Sequence, residues 1–152
     1  MKTIFLKWAA IMIAASFAFV SCGSDDSSSG DGFAAYESAD LEGSWYASNP
    51  DYDPMDPEEP KDLRITIVGS DYVFSGGEKG VGWSEAFEGK VKSNGKYIVL
   101  ELTGYKFSDP SPSDPKIGER WYIVLNEDKD ELCFTGDEPN AVFTDQALIF
   151  TK

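Results

Sequence analysis

The sequence predicts an all-β fold: a single antiparallel up-and-down meander of about eight strands, closed into a barrel. Three observations point to it. Apolar residues recur at every second position in short runs bounded by turn residues, the period of a half-buried strand. Aromatics make up 14% of the 152 residues, with 14 Gly and 8 Pro, and no stretch keeps a helical period for longer than a turn. Short connections alternate with long or glycine-rich ones, as they do when every second connection of a meander lies at the same end.

The chain opens with what reads as an address. Lys2 and Lys7 precede or flank an apolar run over residues 8–20 that stops at Ser21-Cys22. The run is too short for a bilayer core of about 30 Å and fits the h-region of a signal peptide, here residues 1–21. Phe19-Val20-Ser21-Cys22 resembles the lipobox of bacterial lipoproteins, with Phe19 where Leu is usual. The resemblance implies cleavage before Cys22 and lipidation of its thiol; ordinary secretion with Cys22 left as a thiol is the alternative. At about 0.8 kcal/mol per buried CH₂, two or three acyl chains anchor a protein that does not span the membrane. Residues 22–38 form the lipidated cysteine and a Ser, Asp and Gly tether, solvated and flexible. Ser24-Asp25-Asp26 is similar to the signal by which one group of Gram-negative bacteria exports lipoproteins, which implies an outer-membrane, cell-surface location.

The formal net charge is −14, and cleavage would remove only the bases Lys2 and Lys7, leaving the mature chain more acidic still. Such a surface repels phosphate backbones and anionic headgroups, so nucleic acid is not an expected partner and the membrane is met through the lipid anchor only. With Cys22 lipidated, Cys133 has no mate for a disulfide and is expected to be a small buried hydrophobe. The chain has no His, which removes the commonest general base and metal ligand.

The barrel domain is expected over residues 39–152. Residues 33–40 suit either one helical turn or an extended lead-in. The first strand covers 41–48; the loop over 49–61 carries four prolines, which excludes helix and sheet interiors. Asp62–Val68 sets Leu63, Ile65 and Ile67 on one face. Gly69-Ser70-Asp71 turns into a strand over 72–75, and the four glycines between 76 and 82 predict a mobile connection. A fourth strand over 83–92 sets Trp83, Phe87 and Val91 together, and Ser93-Asn94-Gly95 is a tight hairpin signal. The fifth strand, 96–104, presents Ile98, Leu100 and Leu102, and a Pro and Asp loop follows over 107–117. The sixth, 119–126, presents Trp121, Ile123 and Leu125; Glu127-Asp128-Lys129 turns it into the seventh, 130–135, with Leu132 and Phe134 inward. A looser stretch over 136–146 precedes the eighth, 147–151, with Leu148 and Phe150 inward.

Connections after the second, fourth and sixth strands are short, which predicts one tight end and one loop-rich end. The tether joins the tight end, so the loops would point away from the membrane.

Gly43-x-Trp45 on the first strand of such a meander is similar to the lipocalin-like lipoproteins of bacteria over roughly residues 39–152. The resemblance implies that Trp45 plugs the closed end. Lipocalins also carry Thr-Asp at the turn between strands six and seven, and an Arg after the last strand that stacks on the Trp. Here the turn is Glu127-Asp128-Lys129 and the chain ends at Thr151-Lys152, where Lys152 is the partial substitute. These departures take support from transport of a small lipophile and leave the ligand unassigned.

Trp83, Phe87, Leu100, Trp121 and Ile123 are the candidate pocket for a small hydrophobic molecule or glycan at the loop-rich end. The same residues fit a filled barrel, which would make the protein a structural or protein-interaction lipoprotein. Tyr46, Tyr52 and Tyr105 are candidates for stacking on sugar rings. Asp51, Asp53 and Asp56, with Glu58, Glu59 and Asp62, offer oxygens to Ca²⁺, but prolines break the EF-hand spacing and its glycine is missing; a solvated loop with no metal is expected, and no cofactor. Without His, a G-x-S-x-G elbow, a P-loop or a dinucleotide fingerprint, no enzymatic activity is expected.

Overall fold

A computed structural model describes residues 37–56, 59–94, 97–136 and 148–152. The predicted signal peptide, Cys22, most of the tether, Gly95 and residues 137–147 lie outside the described residues. Eight antiparallel strands follow one another around a closed barrel in chain order: β1 (Gly43–Ser48), β2 (Asp62–Val68), β3 (Asp71–Glu78), β4 (Gly82–Asn94), β5 (Tyr97–Tyr105), β6 (Arg120–Leu125), β7 (Glu131–Gly136) and β8 (Leu148–Thr151). β8 returns to β1 through the pairing of Tyr46 with Thr151.

A four-residue helix, α1 (Ser38–Leu41), precedes β1, so Leu41 ends a helical turn where the sequence predicts the start of a strand. Gly43 then takes φ 120°, a conformation that side chains oppose, and turns the chain into β1. The predicted mobile connection over 76–82 is not one. Gly76 and Gly77 belong to β3 and Gly82 to β4, leaving a three-residue turn over 79–81 closed by the Val81 N–H donating to Glu78 O at 3.0 Å. Glycine reads as a linker residue in sequence, but here both strands have pairing partners that extend them through it.

The inward faces follow the predicted alternation. Leu63, Ile65 and Ile67 of β2, Ile98, Leu100 and Leu102 of β5, Trp121, Ile123 and Leu125 of β6, and Phe150 of β8 join one buried core. Each large apolar side chain so buried contributes about 1.5–3 kcal/mol. In β4 the alternation is interrupted. Phe74 pairs with Phe87 and Ser75 with Glu85, so Ala86 is an extra residue on β4. This bulge reverses the facing of the strand between Trp83 and Phe87. A second patch of buried apolar residues, Val99, Val124 and Cys133, lies on the opposite face of β5, β6 and β7, where Val124 pairs with Cys133; Cys133 is thus buried among apolar neighbours.

Candidate functional site

Four of the five residues predicted to line a pocket are core. Phe87, Leu100 and Ile123 are 0% exposed and Trp121 2%, so no space the size of a water molecule borders the first three. Phe87 stands at the centre of the packing, with ring centroids 6.2 Å from Phe74, 6.0 Å from Trp121, 6.2 Å from Tyr105 and 6.0 Å from Phe107. Phe134 lies 6.1 Å beyond Trp121, and Phe150 6.4 Å from Phe74. An eight-stranded barrel is wide enough to be filled by its own side chains or to hold one small ligand, and here large rings pack against one another in its interior.

The connection between β5 and β6 closes over these rings. The Gly118 N–H donates to Leu102 O at 2.8 Å and the Tyr105 hydroxyl to Pro115 O at 2.5 Å. Burial, with Asp114 next, pushes the Tyr105 phenol above its ordinary value. Asp114, 5% exposed, accepts the Ser111 N–H. Glu119 ties the loop to the core, its carboxylate accepting both the Trp121 indole N–H at 3.1 Å and the Lys116 N–H at 2.8 Å. The sequence marks this stretch only as a proline and aspartate loop, because the partners that fold it inward come from distant strands.

Trp83 departs from the other four. The bulge at Ala86 places it on the outer wall, half-buried, with the Tyr46 ring 5.7 Å away and the Arg64 guanidinium 4.6 Å above its own ring. Tyr46, Arg64 and Ser75 pair across β1, β2 and β3, so their side chains share this outward face. Arg64 Nη2 donates to Ser75 Oγ at 3.3 Å, and the Lys79 ammonium lies 4.6 Å over the Tyr46 ring. Most other described cations have carboxylate partners: Lys61 with Glu78, Lys90 with Asp71, Lys92 and Arg120 with Glu101, Lys106 with Glu88, and Lys129 with Asp40. Hydrogen bonds to Glu78 and Glu88 hold Lys61 and Lys106 above the usual lysine range, and those from Lys92 and Arg120 hold Glu101 below the usual carboxylate range. Arg64 and Lys79 have aromatic faces instead, and among the described residues neither has an ion pair. Sequence reasoning found Tyr46 and Trp83 separately and missed their meeting, because the bulge that brings them together leaves no mark in the alternation.

The acidic loop does not gather its carboxylates. Asp53 Oδ1 accepts the Met55 N–H, and the Asp51 N–H donates to Asn49. Among the described residues no three acidic groups converge as a metal site, so Asp51, Asp53 and Asp56 are not brought together; Glu58 lies outside them. Asn49, 5% exposed, closes the loop base by donating to Pro60 O at 2.7 Å and, through its N–H, to Lys61 O at 2.9 Å. Tyr52 is 40% exposed on this loop.

At the tight end Trp45 is fully buried, and its indole N–H donates to Leu41 O at 2.8 Å. Lys152 lies over the same ring at 4.6 Å and donates to Asp40 O at 2.8 Å, while Lys129, from the turn between β6 and β7, pairs with Asp40 Oδ2 at 2.7 Å. The arrangement defines a closed antiparallel barrel, clasped at one end, with the connection between β5 and β6 packed on its aromatic core. No family model, curated protein or solved structure matches the chain.

Proposed function

We propose that this chain is a lipid-anchored lipoprotein of the bacterial cell surface whose barrel is a solid scaffold for recognition, working through its outer wall and loop-rich end and enclosing no ligand. The observation that carries the reading is the packing of Phe87, Leu100, Trp121 and Ile123 against one another and their neighbours, which supports the filled barrel over a carrier of small lipophiles. The lipobox-like Phe19-Val20-Ser21-Cys22 and the acidic tether support the anchor. The chain enters the barrel through α1 at the tight end, which leaves the connections after β1, β3 and β5 on the side away from the tether. The reading ascribes no catalysis and no cofactor to a chain that has no His.

Expression in a bacterial host with an alkyne-bearing palmitate tests the anchor, and native mass spectrometry of the purified protein tests the barrel. Label incorporation that disappears in Cys22→Ala, external protease sensitivity in intact cells, and a native mass equal to that of the lipidated chain alone are expected. Absence of label, or a lipophile retained through gentle purification, would overturn the corresponding half of the reading.

A further inference from the structure

The outer wall beside the turn over 79–81 carries a cluster that the fold does not use. Tyr46, Trp83, Arg64 and Lys79 lie together, two rings and two cations, in a chain with 27 acidic and 13 basic residues. Of the adjacent carboxylates, Glu78 pairs with Lys61, Asp62 accepts the Lys79 backbone N–H at 3.0 Å, and Glu85 stands opposite Ser75 on the same outward row without an ion pair to Arg64 or Lys79 among the described residues. Arg64 Nε is buried without an acceptor, and the guanidinium has one hydrogen bond, a long one, to Ser75. Among the described residues neither the Tyr46 hydroxyl nor the Trp83 indole N–H has a partner, and neither is buried. The cluster thus presents aromatic faces, free neutral hydrogen-bonding groups and two cations that have no ion pair among the described residues.

We propose that this cluster is a binding site for a carboxylated sugar residue of a saccharide chain, a uronate or sialate. The inference rests on the solid-barrel reading, because it puts recognition on the wall. A sugar's C–H face packs on an aromatic ring, its hydroxyls pair with the Tyr46 hydroxyl and Trp83 N–H, and its carboxylate meets the guanidinium and ammonium, whose charge-assisted hydrogen bonds are about twice as strong as neutral ones. An extended acidic peptide fits less well. β2, β3 and β4 are each paired on both sides, so no strand edge is free beside Arg64 and Trp83 for a peptide backbone to extend. An anionic lipid surface fits less well still, because the cluster lies beside the end opposite α1, where the proposed anchor enters.

The test is isothermal titration of the full lipidated protein in neutral detergent with tetragalacturonate and with sialyllactose, each against its methyl ester, and with polyglutamate as the peptide control. The expected result is binding of at least one acid form, with its ester weaker by at least about tenfold, and a loss of at least about tenfold in both Arg64→Gln and Lys79→Gln. Lys79 is exposed in a turn, so its variant stays folded whatever Arg64→Gln does, and thermal melting confirms this. No binding of either acid at millimolar concentration, equal binding of the esters, insensitivity to Lys79→Gln, or equally sensitive binding of polyglutamate would each overturn the inference. The native mass separates the two readings: a retained lipophile sinks the solid barrel, whereas a bare barrel that ignores both acids sinks only this site.

Discussion

Tyr72 shows how closely single residues are accommodated inside this barrel. Its ring packs against Gly89, where an added Cβ would sit 2.5 Å from Tyr72 Cε1 and 2.1 Å from Glu101 O, so a bare backbone is required there. Its hydroxyl is buried with no partner among the described residues, and burial, followed by the charges of Glu119 and Glu101, pushes the phenol far above its ordinary value. A buried orphan hydroxyl opposes folding by about 1–3 kcal/mol. Tyr72→Phe is therefore expected to leave the fold intact and raise stability by about 1 kcal/mol in urea unfolding. The sign of the pH dependence follows from the raised value. An unfolded tyrosine ionises near pH 10 and the folded Tyr72 does not, so stability is fully present below about pH 10 and falls as pH rises beyond it. The wild type should lose more stability than Tyr72→Phe between about pH 9 and pH 11; a variant that is less stable at neutral pH would mean that the hydroxyl has a partner.

α1 illustrates an element that exists because of its attachments. Four residues cannot hold a helix in water by themselves; this one is held by Lys129 and Lys152 on Asp40 and by the Trp45 indole on Leu41 O. Lys129, ahead of the Glu37 N–H, holds the Asp40 carboxyl below the usual carboxylate range. A depressed value means that the contribution is present above the unfolded value near 3.9 and is lost as pH falls through the folded one. Because the Asp40 side chain is only partly buried, the effect is small and screened by salt. Hydrogen exchange of the Trp45 indole N–H should therefore quicken as pH is lowered from about 5 to about 2, after correction for intrinsic rates, and Asp40→Asn should exchange quickly throughout. A variant indistinguishable from wild type at pH 5 would remove the ion pair from the account. The turn that supplies Lys129 is itself ordered by Asn126, whose Oδ1 accepts the Asp130 and Glu131 N–H groups at 3.0 and 3.1 Å, with Lys129 at φ 62°. Asn126 orders the turn and Lys129 ties it to the N-terminal helix.

At the scale of the whole molecule, a filled barrel and a hollow one differ in what a core deletion does. Phe87 touches Phe74, Tyr105, Phe107 and Trp121, which come from β3, β5, β6 and the loop after β5. Phe87→Ala is expected to cost about 3–5 kcal/mol and to open an apolar cavity that takes up benzene, read as a rise in melting temperature with the ligand present. A loss under about 1 kcal/mol would mean that the ring already bordered empty space. Truncating an exposed partner such as Lys92, paired with Glu101, is expected to cost far less, within about 1 kcal/mol.

The strand register was largely legible in the sequence. Leu63-x-Ile65-x-Ile67, Ile98-x-Leu100-x-Leu102 and Trp121-x-Ile123-x-Leu125 alternate strictly, and alternation is a local consequence of the pleat that survives into any sheet burying one face. The turns at Gly69-Ser70 and Glu127-Asp128 and the proline-bearing loop between β1 and β2 were equally local, and with the alternation came the eight strands and the closed antiparallel order. Tertiary structure alone decided the facing of Trp83, because a bulge is a mismatch between two strands and Ala86 carries no sign of it. It alone decided that Phe87, Leu100, Trp121 and Ile123 are core, since whether a barrel is full depends on side-chain volumes summed across all its strands and on a loop folding over them. The meeting of Tyr46, Arg64, Lys79 and Trp83, drawn from four separate segments, has the same origin: sequence specifies which face a residue takes within its own strand, and only pairing between strands specifies its neighbours.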